Sequence, residues 1–142
     1  MRFIRTIAIA ILMMAGASQT ATAQKNNNIQ VPKAYMFGFA ASFNDSTVFF
    51  TDIQQVDSVW VTKKKGFLAG RGNYSYQLRN YCAQEMDLPN RTCIVVSDLN
   101  RKKVEKKYKK MMNKYVGKKA KNYDVRYISP ENFKFHAVDM SE

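Results

Sequence analysis

Residues 34–53 read "AYMFGFAASFNDSTVFFTDI", and their pattern decides the architecture. Tyr35, Phe37, Phe39, Ala41 and Phe43 alternate with smaller residues, which is the period of a strand. Asn44, Asp45 and Ser46 carry side chains that bend a backbone into a turn. Residues 47–53 are again rich in β-branched and aromatic side chains. Two such runs around a short polar break predict a β-hairpin.

Downstream, residues 56–61 ("VDSVWV") either extend the second strand beyond a bulge or form a short third strand. "KKKGF" and "AGRG" then break the pattern. Their glycines fit neither the G-x-x-x-x-G-K-[ST] nor the G-x-G-x-x-G phosphate loop, so they read as a turn. Tyr74, Leu78, Tyr81, Cys82 and Met86 recur at helical spacing, with Asn73 or Ser75 available as a cap and Pro89 beyond the end. Residues 91–99 form a short, nearly continuous apolar run that suits a central strand. A second helical pattern follows, and residues 123–127 and 133–137 alternate again, at Tyr123, Val125 and Tyr127 and at Phe133, Phe135 and Ala137. The predicted order is β-β-(β)-α-β-α-β-β, with residues 91–128 forming a crossover between parallel strands. The expected fold class is therefore α+β: a two-layer sandwich in which a mixed, mainly antiparallel sheet of about five strands carries two helices on one face.

Upstream, residues 24–33 ("QKNNNIQVPK") are polar and unpatterned, and read as a flexible lead-in. Residues 1–23 have the three parts of a secretory signal peptide. Arg2 and Arg5 precede an apolar run, and Ala21-Thr22-Ala23 places small residues before a cut at Gln24. The A-x-A-Q ending resembles the export signals of small exported bacterial proteins. The apolar run is short for a ~30 Å hydrocarbon core. The expected product has no transmembrane segment, is periplasmic or secreted, and consists of one α+β domain over residues 34–142. In an oxidising compartment Cys82 and Cys93 permit one intramolecular disulfide. The alternative is two buried free thiols packed as small hydrophobes.

Residues 100–121 ("NRKKVEKKYKKMMNKYVGKKAK") hold eleven basic residues and one acid, Glu105. Val104, Tyr108, Met111, Met112 and Tyr115 fall on one helical face, Asp98 or Asn100 can cap the start, and Gly117 can end it. The opposite face carries Lys102, Lys103, Lys106, Lys107, Lys109, Lys110 and Lys114. After loss of Arg2 and Arg5 the chain keeps 21 basic and 11 acidic residues, a net +10. This one segment also sums to +10, so the rest of the mature chain is neutral. Four like-charge pairs at i,i+4 (Lys102–Lys106, Lys103–Lys107, Lys106–Lys110, Lys110–Lys114) together cost the helix ~1–2 kcal/mol. Arg101, Lys102 and Lys103 also crowd the positive end of the helix dipole. Only Glu105–Lys109 has the helpful orientation. A face arranged at such a loss points to contact with an anionic partner: a glycolipid, an acidic polysaccharide or an acidic protein surface. Lysines without arginine forks or exposed aromatics suit diffuse attraction, and nothing here reads bases, so nucleic acid is disfavoured.

Catalytic chemistry finds little footing. The single histidine, His136, does not suffice for a typical zinc site, and the acids are scattered. No G-x-S-x-G elbow is present. The expectation is a non-catalytic binding or envelope-accessory protein with no metal and no cofactor. The alternative is a small secreted hydrolase or nuclease using His136.

Overall fold

The computed structural model describes residues 27–117 and 122–141. The proposed signal segment, residues 1–23, lies outside them. The hairpin forms as expected from β1 (Asn28–Ala41) and β2 (Thr47–Thr51), and β3 (Gln54–Thr62) continues beside β1. Phe39 lies opposite Phe50, while Met36 lies opposite Gln54. Two residues on β1 therefore face three on the other side, and the extra one is a bulge at residues 51–53. Thr51 holds it together: its hydroxyl accepts the Gly38 N–H at 2.8 Å and donates to the Asp52 carbonyl at 3.0 Å. The bulge and the third strand, alternatives in the sequence, are thus both present.

Two further strands complete a mixed, mainly antiparallel sheet of five. β4 (Thr92–Asp98) runs antiparallel along the other edge of β1, with Val96 opposite Phe37. β5 (Asp124–Ile128) runs parallel to β2, with Tyr127 opposite Phe50. β4 and β5 point the same way, as a crossover requires. They stand at opposite edges, however, with β1 and β2 between them.

The helices α1 (Arg71–Glu85) and α2 (Arg101–Val116) both pack on this sheet, but on opposite faces rather than one. The reason lies in β1. Ala34, Met36 and Ala40 pack with Tyr74, Leu78 and Cys82 of α1. The alternate residues Phe37 and Phe39 pack with Val104, Tyr108 and Tyr115 of α2. The small residues between the aromatics are not solvent positions; they make room for α1. At Gly38 an added Cβ would lie 2.6 Å from Leu78 Cδ2 and 2.9 Å from Phe135 Cζ. The sandwich therefore has three layers.

Three local expectations also change. β1 begins at Asn28, so most of the expected lead-in is strand: Asn28 pairs with Thr62 and Lys33 with Asp57. α1 starts at Arg71 behind Gly70, whose φ of 73° turns the chain without a side-chain cap; neither Asn73 nor Ser75 fills that role. The last predicted strand does not join the sheet. Phe133 and Phe135 are buried and alternate with exposed Lys134 and His136, as the pattern implies, yet side chains rather than a neighbouring strand satisfy the segment. Gln54 donates to the Phe133 carbonyl at 3.0 Å and accepts the Phe135 N–H at 2.9 Å. Gln77 does the same for His136, at 2.8 Å each way. Each carboxamide offers the donor–acceptor pair that a peptide group of a strand would offer. The Tyr74 hydroxyl then accepts the Val138 N–H at 3.0 Å.

The hairpin turn is pinned from outside. Arg91, buried ahead of β4, donates to both carboxylate oxygens of Asp45, at 3.0 and 2.6 Å, and to the Thr47 carbonyl at 2.8 Å. Its guanidinium sits 5.4 Å from the centre of the Phe49 ring. This fork holds the Asp45 carboxyl below the usual carboxylate range.

Candidate anion-contact face

Helix α2 starts where the sequence places its cap. The Asp98 carboxylate accepts the Asn100 N–H at 2.9 Å, and the Asn100 side chain accepts the Lys102 N–H at 2.9 Å. Gly117 ends the helix, donating its N–H to the Asn113 carbonyl at 3.1 Å. Val104 is fully buried, and the rest of the apolar stripe packs on the sheet. Tyr108 meets Phe37 edge-on at 4.9 Å, and Tyr115 lies 5.0 Å from Phe39. Burial pushes both phenols above their usual range, so they stay neutral. These rings belong to the core and are not platforms for a ligand.

All seven lysines of the opposite face are exposed. At 3.6 residues per turn they span an arc of about 160°. The first turn of α2 contains no acid to offset its dipole. Among the described residues, the ion pairs of α2 are Arg101–Glu105 at 3.0 Å and Lys107–Asp98 at 3.9 Å. Glu105 thus turns back to Arg101 and not forward to Lys109. The cation then precedes the acid, the weaker orientation on a helix. Lys102, Lys103, Lys106, Lys109, Lys110 and Lys114 have no acidic partner among the described residues.

The sequence did not reveal what stands beside this face. A groove of about 820 Å³ runs between the start of α2 and the turn after β3. Lys103 and Lys107 line one side, and Lys65 and Arg71 line the other. Phe67, 63% exposed, and Leu99, 45% exposed, also border it. Asp98 is the one acid in its lining, and it is already the partner of Lys107. Lys65 and Arg71 are remote from α2 in sequence and sat in stretches that read only as turns. The pairing of both β3 and β4 with β1 brings them there, which no local spacing encodes.

Comparison of the chain with protein-family models, curated proteins and solved structures found no match.

The other candidate residues lie elsewhere. His136 lines an open groove of about 660 Å³ with Tyr81, Glu85 and Lys134. Gln77 clamps its backbone, but among the described residues no side chain bonds to its ring. A general base needs such an orienting partner or a bound substrate to supply one. No group of three or more metal-ligating side chains occurs among the described residues. Cys82, on the buried stripe of α1, and Cys93, on β4, come together between helix and sheet. Among the described residues, no helix is long and apolar enough to cross a membrane.

Proposed function

We propose that this chain is a non-catalytic, exported envelope-accessory protein that docks on an anionic glycolipid surface through α2 and the groove beside it. The observation that carries the reading is the meeting of Lys103 and Lys107 with Lys65 and Arg71 next to two exposed apolar side chains. Cations from three separate parts of the chain converge there, so the charge is a property of the folded surface and not only of one helix. Exposed Phe67 and Leu99 favour an amphiphilic partner over a purely polar polyanion, because they gain from leaving water only against acyl chains or another apolar surface. Lysines supply long-range attraction without a fixed fork, which suits a fluid array of head groups. The leading residues with their small-residue cut site supply the route out of the cytosol.

The test is binding to lipid vesicles with and without an anionic lipid. Each lysine near such a surface contributes about 1 kcal/mol. Replacing Lys102, Lys106, Lys109 and Lys110 together by glutamine should therefore weaken binding about a thousandfold while leaving the circular dichroism spectrum unchanged. Equal binding at low salt by the parent, by this variant and by a second one carrying Lys65→Gln, Arg71→Gln, Lys103→Gln and Lys107→Gln would mean that helix face and groove are only solvated. Tighter binding to soluble dextran sulfate or polyglutamate than to vesicles would reassign the partner to an acidic polysaccharide or an acidic protein.

A further inference from the structure

Cys82 and Cys93 are brought together by the fold and not by the short segment that joins them. Cys82 continues the buried stripe Tyr74–Leu78–Cys82 along α1, one residue every fourth position. Cys93 lies opposite Ala40 on β1, and Ala40 faces α1. Both sulfurs therefore point into the layer between α1 and the sheet. The Cys93 thiol donates to the Arg91 carbonyl at 3.9 Å, and both cysteines are free thiols packed in the same cluster. The chain between them turns back through Asp87 and Asn90, whose φ values of 52° and 69° are left-handed. The Leu88 N–H donates to the Cys82 carbonyl at 2.8 Å, closing α1 as this return begins.

The two sulfurs differ in access. Cys82 has no exposed surface. Cys93 is half-buried and lines an open groove of about 430 Å³ with Ser75, Tyr76, Arg79 and Asn90. An oxidant can reach Cys93 from this groove, and only Cys93 can then reach Cys82. Interaction between the two groups pushes the Cys82 thiol down and the Cys93 thiol up, so the pair gives up one proton readily and holds the second. The nearby Arg91 favours the thiolate, and Cys93, the sulfur an oxidant can reach, attacks when the remaining proton rests on Cys82.

The structure assigns Cys82 and Cys93 as a disulfide-forming pair, oxidised in the folded chain by exchange with a disulfide such as oxidised glutathione. The Cys93 thiolate attacks one sulfur of the donor, forming a mixed disulfide and releasing one donor thiolate. The Cys82 thiolate then attacks Cys93 Sγ, forming the Cys82–Cys93 bond and releasing the second donor thiolate. Two protons leave the cysteine pair and end on the two released thiols. The pair loses two electrons and the donor gains them. The product ties α1 covalently to β4, an edge strand that pairs only with β1 among the described strands. Neither step draws on α2 or on an anionic partner.

The experiment uses the full chain, reduced, desalted and exposed to oxidised glutathione without denaturant. The expected result is loss of both thiols and a monomeric product lighter by two hydrogens. Digestion should yield one cross-linked peptide joining Cys82 to Cys93. Closing so short a loop should raise the melting temperature by about 10 °C over the reduced form. Cys82→Ser should retain a glutathione adduct at Cys93, and Cys93→Ser should leave Cys82 unmodified while folded. Three results in the unsubstituted chain would each overturn the assignment: two surviving thiols, a lasting glutathione adduct, or bonds between chains. A cross-linked form melting no higher than the reduced one would overturn it too, because the fold would not then present the sulfurs in bonding geometry. These readouts on the unsubstituted chain stand even if a serine variant fails to fold.

Discussion

Replacing Gly38 by alanine tests the three-layer arrangement at its most crowded point. The new methyl carbon would lie 2.6 Å from Leu78 Cδ2 on α1, 2.9 Å from Phe135 Cζ and 3.4 Å from Thr51 Cγ2. All three neighbours belong to closed parts of the core. Overpacking of this kind costs about 1–3 kcal/mol. Alanine recovers about 0.5–1 kcal/mol by restricting the unfolded chain, since Gly38 needs no left-handed backbone. An approach of 2.6 Å inside a closed core places the overpacking in the upper half of its range, so the net loss is about 1–2.5 kcal/mol, or roughly 4–10 °C in melting temperature. Urea unfolding followed by the fluorescence of the single tryptophan, Trp60, measures it. Leu78→Ala alone should cost about 2–5 kcal/mol. In that background the nearest obstructing atom is gone, so Gly38→Ala should cost less by at least ~1 kcal/mol, a coupling that a double-mutant cycle reads directly. A neutral Gly38→Ala, or strict additivity with Leu78→Ala, would refute the placement of α1 over this face of β1.

Other expectations concern single contacts. Asn100→Ala removes the cap of α2 and should cost about 1 kcal/mol, seen as a lower urea midpoint at unchanged slope. Gln54→Leu removes both bonds to the segment at Phe133 and Phe135 and should cost about 1–3 kcal/mol. The Phe135 amide should then exchange its hydrogen much faster; unchanged protection would show that the carboxamide does not hold the segment. Asp45 has a folded pKa below its unfolded value because Arg91 bonds its charged form. At low pH the unfolded chain therefore binds more protons, so this contribution is present above about pH 4 and is lost as pH falls through the folded value. Asp45→Asn should flatten that part of the acid-unfolding profile, and an unaltered profile would place the acid sensitivity elsewhere.

Much of the fold was legible in the sequence wherever one local pattern decided it. The hairpin, both helices, the α2 cap at Asn100 and the strand character of β4 follow from period, turn chemistry and capping. The layer count did not, because alternating aromatic and small residues have the same period whether the small side faces water or a second helix. Met36, Gly38 and Ala40 are buried only because α1 closes over them. The segment after β5 shows the converse limit. Its alternation correctly marks Phe133 and Phe135 as buried, but period cannot reveal that Gln54 and Gln77 stand in for a neighbouring strand. At the candidate site the lysines of α2 were visible from helical spacing. Lys65 and Arg71 were not, since strand pairing brings them to α2. The Cys82–Cys93 pairing was open in the sequence as one of two alternatives, and what local pattern could not supply is that Cys93 stands on the side of β4 that α1 covers.

The salt dependence of vesicle binding tests the central claim most directly. If the lysine face of α2 makes the contact, affinity for anionic vesicles should fall about a hundredfold between about 50 and 200 mM salt for four engaged lysines. The variant carrying Lys102→Gln, Lys106→Gln, Lys109→Gln and Lys110→Gln should lose most of that dependence. An affinity unaffected by salt, or a salt dependence that is the same in both proteins, would contradict the assignment of this face as the site of contact.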